Sequence, residues 1–262
     1  MARVAKQSDG GAVQRSIQSI EVGFRLIHVL ETARAPLPLK TLAAQADMTP
    51  AKAHLYLVSF IRLGLVVQEH KTLHYRLGPY ALQLGQAALR QIDLPALAHD
   101  PLEKLQKTFE MPSYLSIWGA GGPFSVLTFD ADLPTPITIR TGFVFPLLGT
   151  ATGRIFLTYL PELKTRALAG REGALYPDLA ARREAMVAGI RTAGVSISEG
   201  YLFRGFCAIS APVFDHSGDL AAAVTIIGVA SLMDQAVDGA MASAVRAAGS
   251  TISVSLGHVA PT

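Results

Sequence analysis

Cysteine is almost missing from this 262-residue chain, and the lone Cys207 excludes an internal disulfide framework and any zinc site built on clustered Cys and His. One thiol suits a reducing compartment. Tryptophan also occurs once, as Trp118, and charged residues make up only 16% of the sequence, whereas apolar residues reach 50%, enough to build real cores. Long apolar runs are absent too: the longest, Leu220 to Ala230, is about half of what a membrane-spanning helix needs and reads as a buried strand. Met1 to Ala12 carry Arg3, Lys6 and Asp9 but no apolar segment of the kind a secretory signal requires, so a cytoplasmic protein without a membrane partner is expected.

The usual enzyme signatures are missing as well. There is no G-x-S-x-G elbow, no G-x-G-x-x-G turn, no P-loop and no H-E-x-x-H. Cys207 falls within a strand pattern, where a thiol is ordinarily a small buried hydrophobe. His216 falls in turn sequence, and Asp130 and Asp132 sit at a strand end, where acidic residues are routine. The expectation is therefore no enzyme, no catalytic residue, no metal and no cofactor.

What is present is unevenly distributed. The net charge is +3, but residues 1–80 hold 10 Lys and Arg against 5 Asp and Glu, while the remainder holds 13 against 15. Four of the seven His also lie in the first 80 residues. Alone, this asymmetry fits equally a polyanion partner for the amino-terminal third and a chance difference between two ordinary domains.

Apolar spacings of three and four at Ile17, Ile20, Phe24, Ile27 and Leu30 predict a helix over Ser16–Thr32, capped by Ser16. A short helix follows over Leu39–Ala46, then a tight turn at Asp47–Met48–Thr49. Thr49 as cap and Pro50 at the first position start a third helix, which Gly64 stops. Leu65–Val67 and Leu73–Leu77 read as a small hairpin, and Tyr80–Gln91 as a linker helix with Leu82 and Leu89 on its apolar side. Beyond Leu94 the pattern predicts a helix (97–109), strands (113–118, 124–130, 136–140), helices (153–159, 162–169, 178–193), strands (195–199, 206–214, 220–229) and a final helix (234–257). Strands, then helices, then strands indicate an antiparallel α+β domain.

Helix, turn, helix and hairpin in that order point to DNA. A helix that enters the major groove is held by its back and leaves its front free. In the third helix Ala53, Tyr56, Leu57 and Phe60 share one side; Ala51, Lys52, His54, Leu55 and Ser59 share the other. Lys52 can reach a phosphate or a guanine edge, and His54 can donate or accept. Leu55 is unexpected on a solvated face: either it reads thymine methyl groups or it belongs to the core. Arg15, Lys40 and Arg76 stand where phosphate contacts or ordinary solvated charges are equally at home.

The run from Leu42 to Leu57 (LAAQADMTPAKAHLYL), with Leu63–Val66 (LGLV) and Tyr75–Pro79 (YRLGP), resembles the winged-helix domain of IclR-family regulators. Gly149–Arg154 (GTATGR), Ile190–Val195 (IRTAGV) and Ala208–Gly218 (AISAPVFDHSG) resemble that family's effector domain in order and spacing. The likeness spans about residues 13 to 257. Two departures stand out: Leu55 replaces an Arg of many members, which suggests a different operator, and Asp47 replaces a frequent turn Gly, which a residue tolerant of left-handed backbone can do.

The resemblance implies an α+β chain with a winged helix-turn-helix at 13–79, a linker helix at 80–92 and a GAF-like effector-binding domain at 93–262. It implies a homodimer, or a dimer of dimers, on a roughly palindromic double-stranded operator. DNA contacts would come from Arg15, Lys40, Thr49, Ala51, Lys52, His54, Leu55 and Arg76. Effector contacts would come from Trp118, Leu148, Gly149, Thr150, Ala151, Ser198, Cys207, Ala208, Thr225 and Ile227. The backbone N–H groups of residues 149–153 could bind a carboxylate, or form a plain turn capped by Thr152. Few of these residues are charged, which favours an aromatic or partly apolar organic acid as effector. The alternative is a ligand sensor that acts through a protein partner without DNA.

Overall fold

The computed structural model describes residues 17–132, 137–200 and 204–259. The chain forms two compact units, with the break between Ile92 and Asp93.

In the first unit α1 (Gln18–Thr32), α2 (Leu39–Gln45) and α3 (Pro50–Arg62) pack around Leu26, Leu30, Leu42, Ala43, Ala53, Leu57 and Phe60. Ser16, the expected cap of α1, lies outside the described residues, and the helix starts at Gln18 without a side-chain cap. Thr49 does cap α3, accepting from Lys52 N–H at 3.3 Å, with Pro50 in the first turn. Asp47 takes φ 54°, so the turn between α2 and α3 uses the left-handed backbone foreseen for it. Gly23 keeps α1 close to α3, since a Cβ there would lie 2.9 Å from the Tyr56 ring. The hairpin β1 (Val66–Gln68) and β2 (Tyr75–Leu77) follows, and Leu37 adds a two-bond bridge to Tyr75 at 2.9 and 2.8 Å. Helix α4 (Pro79–Arg90) closes the unit and buries none of its residues.

The second unit is built on a five-stranded antiparallel sheet in the order β4-β3-β7-β6-β5. Its strands are β3 (Ser113–Gly119), β4 (Gly122–Phe129), β5 (Ser196–Glu199), β6 (Phe206–Phe214) and β7 (Leu220–Val229). Against one face lie α5 (Leu94–Phe109) and α10 (Ala240–Ser255), burying Leu102, Leu105, Val245 and Ile252 on Leu115, Ile209, Val224 and Ile226. Toward the other face lie α6 (Ala151–Tyr159), α7 (Glu162–Leu175), α8 (Pro177–Ala181), α9 (Arg183–Ala193) and the segment 137–150.

Several boundaries differ from the sequence reading for identifiable reasons. Helix α5 begins three residues early because Asp93 caps it, accepting from Ala96 N–H at 3.2 Å, and Pro95 then falls in the first turn, where proline is tolerated. Helix α10 begins six residues late, since the Asp234 carboxylate accepts from Ala236 and Ala240 N–H (both 3.1 Å) and holds 234–239 outside the helix. The helix expected over 178–193 breaks at Arg182. No strand forms over 137–140, and Pro136 lies outside the described residues. Instead Ser125 holds that stretch: its hydroxyl donates to Arg140 O at 2.7 Å and its N–H to Phe143 O at 3.0 Å.

Gly153, in the first turn of α6, is where the loop and helix approach most closely. A Cβ there would run into the Pro146 carbonyl oxygen and lie 2.6 Å from Leu147 Cα, both backbone atoms that cannot swing away. Gly153→Ala should therefore lower stability by about 3 kcal/mol or more, as overpacking against backbone does. Urea unfolding of the full chain measures it, and a loss below about 1 kcal/mol would show that the loop can retreat.

Candidate functional site

Two regions matter, one on each unit. On α3, Thr49, Ala51, Lys52, His54 and Leu55 are all exposed and share one end and side of the helix, opposite the buried Ala53, Leu57 and Phe60. Leu55 is 71% exposed, which settles the choice between solvated face and core in favour of the face. A large apolar side chain held in water by a well-packed helix has no folding role there. Lys40 is exposed at the start of α2. Arg76, on β2, lies 3.7 Å from the Glu69 carboxylate and donates to Leu77 O at 3.2 Å, so a phosphate would compete with that pair. Arg15 lies outside the described residues.

The second region is a small cavity on the α6 side of the sheet, lined by Tyr114, Ile139, Phe145, Gly149, Thr150, Ser198, Phe206, Cys207, Ala208 and Ile227. Its free interior is about 30 Å³, room for a water or two. Six residues expected from the sequence are brought together here: Gly149, Thr150, Ser198, Cys207, Ala208 and Ile227. Four are placed elsewhere. Trp118 is not a wall of this cavity; it tilts onto Phe156, with ring centroids 6.0 Å apart, in the core beneath α6–α9. Leu148 packs in that same core. Ala151 is fully buried behind the lining, and Thr225 is fully buried within a hydrogen-bonded chain. Cys207 borders the cavity, but its residue belongs to the core against α5 and α10.

Tyr114, Ile139, Phe145 and Phe206 were not foreseen. Each reads in the sequence as an ordinary core hydrophobe, and only the chain path of 137–148 carries Ile139 and Phe145 to the cavity. There Phe145 stacks on Tyr114, with centroids 5.0 Å apart and planes 3° from parallel.

The loop Pro146–Thr150 is fixed by polar bonds. The buried Glu172 of α7 accepts from both Leu147 and Leu148 N–H at 2.8 Å. Thr150, rather than Thr152, is the cap of α6: its hydroxyl accepts from Gly153 N–H at 2.9 Å and donates to Pro146 O at 2.7 Å. Arg154 donates to Leu148 O (2.9 Å) and Ile197 O (3.2 Å), tying the loop to β5. Burial lowers the pKa of its guanidinium from the ordinary arginine value. Ala151 N–H donates to Ser198 Oγ at 3.0 Å. Gly149 and Thr150 N–H meet no acceptor among the described residues.

On the sheet beneath, Tyr114, Thr225, Ser210 and Ser196 sit opposite one another across β3, β7, β6 and β5. Tyr114 Oη meets Thr152 Oγ1 at 3.1 Å, Thr152 meets Thr225 Oγ1 at 2.9 Å, and Thr225 donates to Ser210 Oγ at 2.8 Å. Burial pushes the Tyr114 phenol up to about 12, with the Thr152 and Thr225 hydroxyls opposing, so it is neutral at physiological pH.

Comparison with known proteins adds to this geometry. The family model for the IclR helix-turn-helix domain matches residues 19–70, and that for the bacterial transcriptional regulator IclR C-terminal domain matches residues 86–254. The chain is similar to the crystal structure of Pseudomonas aeruginosa HmgR, with 34% identity, 94% of this chain and 100% of that one covered, and a TM-score of 0.86. It shares its fold with the Agobacterium tumefaciens repressor BlcR, at 21% identity, 94% and 99% coverage, and a TM-score of 0.78. The HTH-type transcriptional regulator XynR of Escherichia coli (strain K12) is 23% identical over 251 residues, covering 93% of this chain and 99% of that protein.

Removing the Glu172 carboxylate strands two buried N–H groups. Glu172→Ala should cost about 2 to 5 kcal/mol in urea unfolding. Glu172→Gln should recover only part of that, because its amide can accept from one N–H while its NH₂ faces the other. Equal stability of Glu172→Ala and the parent chain would contradict the clamp.

Proposed function

The chain belongs to the IclR family of bacterial transcriptional regulators, whose members are DNA-binding proteins and not enzymes, and on that premise we propose how it reads DNA and what it senses. No helix among the described residues is long and apolar enough to cross a membrane. In this reading 13–79 is the winged helix-turn-helix, 80–92 the linker helix and 93–262 the effector domain, and the protein acts as a homodimer or a dimer of dimers on a double-stranded operator. The front of α3 enters the major groove. Ala51 lets it sit deep, Lys52 and His54 meet phosphate or base edges, and Leu55 meets thymine methyl groups. Lys40, Arg76 and Arg15 supply phosphate contacts.

The effector is an aromatic or partly apolar organic acid. The observation that carries this is the composition of the cavity wall: Ile139, Phe145, Phe206, Ala208 and Ile227 are apolar, while Gly149, Thr150 and Ser198 gather donors at one side. The start of α6 adds its positive dipole end there, and the Arg154 charge lies beside the same loop. A ligand with an apolar body and one carboxylate fits that distribution. At about 30 Å³ the cavity is smaller than an aromatic ring, so a ring enters only as its walls part. Leu148, Ala151 and Thr225 act from behind the wall, through the clamp, the Ser198 bond and the hydroxyl chain.

Lys52→Ala should weaken binding to an operator fragment and reduce the slope of log affinity against log salt by about 1, and Leu55→Ala should relax discrimination at an A·T pair by about 1 to 3 kcal/mol. Fluorescence anisotropy with operator and scrambled duplexes at two salt concentrations measures both. Equal, weak binding of operator and scrambled duplex by the parent chain, with a protein partner still held by Lys52→Ala and His54→Ala, would favour a sensor acting through that partner. In a thermal-shift screen, benzoate-type acids should raise the melting temperature of the full chain while acetate and glyoxylate do not. Stabilisation by the small aliphatic acids alone would contradict the apolar-acid reading.

A further inference from the structure

The tip of the β1–β2 hairpin holds a residue that folding does not explain. Leu73 takes φ 59°, in the left-handed region where a Cβ crowds the backbone and glycine or asparagine is the ordinary choice. Burial gives nothing in return, since Leu73 is 63% exposed. The tip around it is closed firmly enough to hold that conformation. Leu73 N–H donates to Glu69 O at 3.0 Å, and Glu69 N–H donates to His74 O at 2.9 Å. Gln68 Nε2 donates to Leu73 O at 3.0 Å. The Thr72 hydroxyl donates to the Glu69 carboxylate at 2.8 Å and accepts from His74 N–H at 3.2 Å. A strained residue held in place by its surroundings, with no packing to show for it, points to a use outside the fold.

The place of the tip says what that use is. Leu73 borders a groove with Ile61 of α3 and Val67 of β1, so the tip stands beside the C-terminal end of the reading helix. Helix α3 has 13 residues and is about 20 Å long. The major groove is about 12 Å wide. With the first turn of α3 on the base edges, its far end and the hairpin beside it stand over the flanking phosphates and the neighbouring minor groove. His70, Lys71 and Thr72 are exposed around Leu73, so the tip is an apolar side chain ringed by groups that suit phosphate and sugar. Proteins that enter the minor groove combine such groups with an apolar wedge, which slips between base pairs, unstacks them in part and kinks the duplex.

We infer that Leu73 is a wedge that enters the minor groove beside the α3 site and bends the operator there. The inference rests on the chain reading DNA through α3 and goes further, naming a second specificity-determining residue and the deformation it imposes. The left-handed backbone throws the leucine outward from the tip, and the bonds to Glu69, Gln68 and Thr72 keep it from folding back. Because wedging costs least at flexible pyrimidine–purine steps, Leu73 selects sequence at a position where it makes no hydrogen bond. The strain also makes stability and function move in opposite directions at this one residue. Glycine accepts the φ of Leu73 without the steric cost but has no side chain to insert.

The test uses the full chain and a duplex that it enriches from random sequence, labelled at both ends so that energy transfer reports bending. The parent chain should bend this duplex. Leu73→Gly should melt within about 2 °C of the parent or higher. It should nevertheless leave the duplex nearly straight and bind it about fivefold or more weakly, with scrambled duplex bound as before. Leu73→Met, which keeps an unbranched apolar side chain, should retain both bend and affinity. Replacing the pyrimidine–purine step beneath the tip by a stiff A-tract should weaken the parent and leave Leu73→Gly unchanged. A duplex left straight by the parent, or bent and bound alike by the parent and Leu73→Gly, overturns the wedge; so does a large drop in the melting temperature of Leu73→Gly, which would give the leucine a folding role. If Lys52→Ala is still impaired in those cases, DNA reading through α3 stands. Failure of the parent to enrich any duplex overturns both.

Discussion

One buried carboxylate holds the sensing half of this molecule in shape. The loop Pro146–Thr150 runs through the interior, where backbone groups left without partners are costly, and Glu172 satisfies two consecutive N–H groups at 2.8 Å each. With Leu147 and Leu148 so fixed, Gly153 can bring the first turn of α6 against the loop, Thr150 can cap that helix, and Arg154 can tie Leu148 to β5. The position of Gly149 and Thr150 at the cavity follows from these constraints together. The Gly149 and Thr150 N–H groups, which are proposed to meet the effector, are thus held by well-bonded surroundings, as selective recognition requires.

The sheet shows how one element serves two purposes. Its face toward α5 and α10 is packed with Leu115, Ile209, Val224 and Ile226, a plain apolar core. Its other face carries Tyr114, Thr225, Ser210 and Ser196 in a row across four strands. A row of buried hydroxyls contributes less to stability than aliphatic side chains would, but it ties β3, β7 and β6 to the first turn of α6 through directional bonds. Strand alternation is what keeps the two purposes apart.

The sequence made some of this legible and concealed the rest. The amino-terminal unit could be read closely because each of its elements is punctuated: Thr49 and Pro50 start α3, Gly64 ends it, and helical spacing separates Ala53 and Leu57 from Lys52 and His54. The cavity was half visible. Gly149, Thr150, Ser198, Ala208 and Ile227 lie in segments with recognisable order, whereas Tyr114 and Phe145 look like any core aromatic until the path of 137–150 brings them face to face. Trp118 invites a role as a wall by its size, yet it packs on Phe156 in the core beneath α6–α9. Glu172 gave no local signal, since a glutamate in a helix is ordinarily a solvated residue and only tertiary contact buries it. The early start of α5 and late start of α10 were set by Asp93 and Asp234, whose side-chain bonds decide between otherwise similar helical patterns.

The central claim is that one chain links a DNA-reading helix to an acid-sensing cavity. Linkage makes this testable in both directions, since whatever factor the acid applies to operator affinity, the operator must apply to acid affinity. The measurement is operator affinity with and without a saturating benzoate-type acid, paired with that acid's affinity with and without operator, at one salt concentration. The account predicts the same severalfold change in both, of the same sign. Tight binding of both ligands with neither affecting the other would contradict it, and would mean that the cavity does not govern DNA binding.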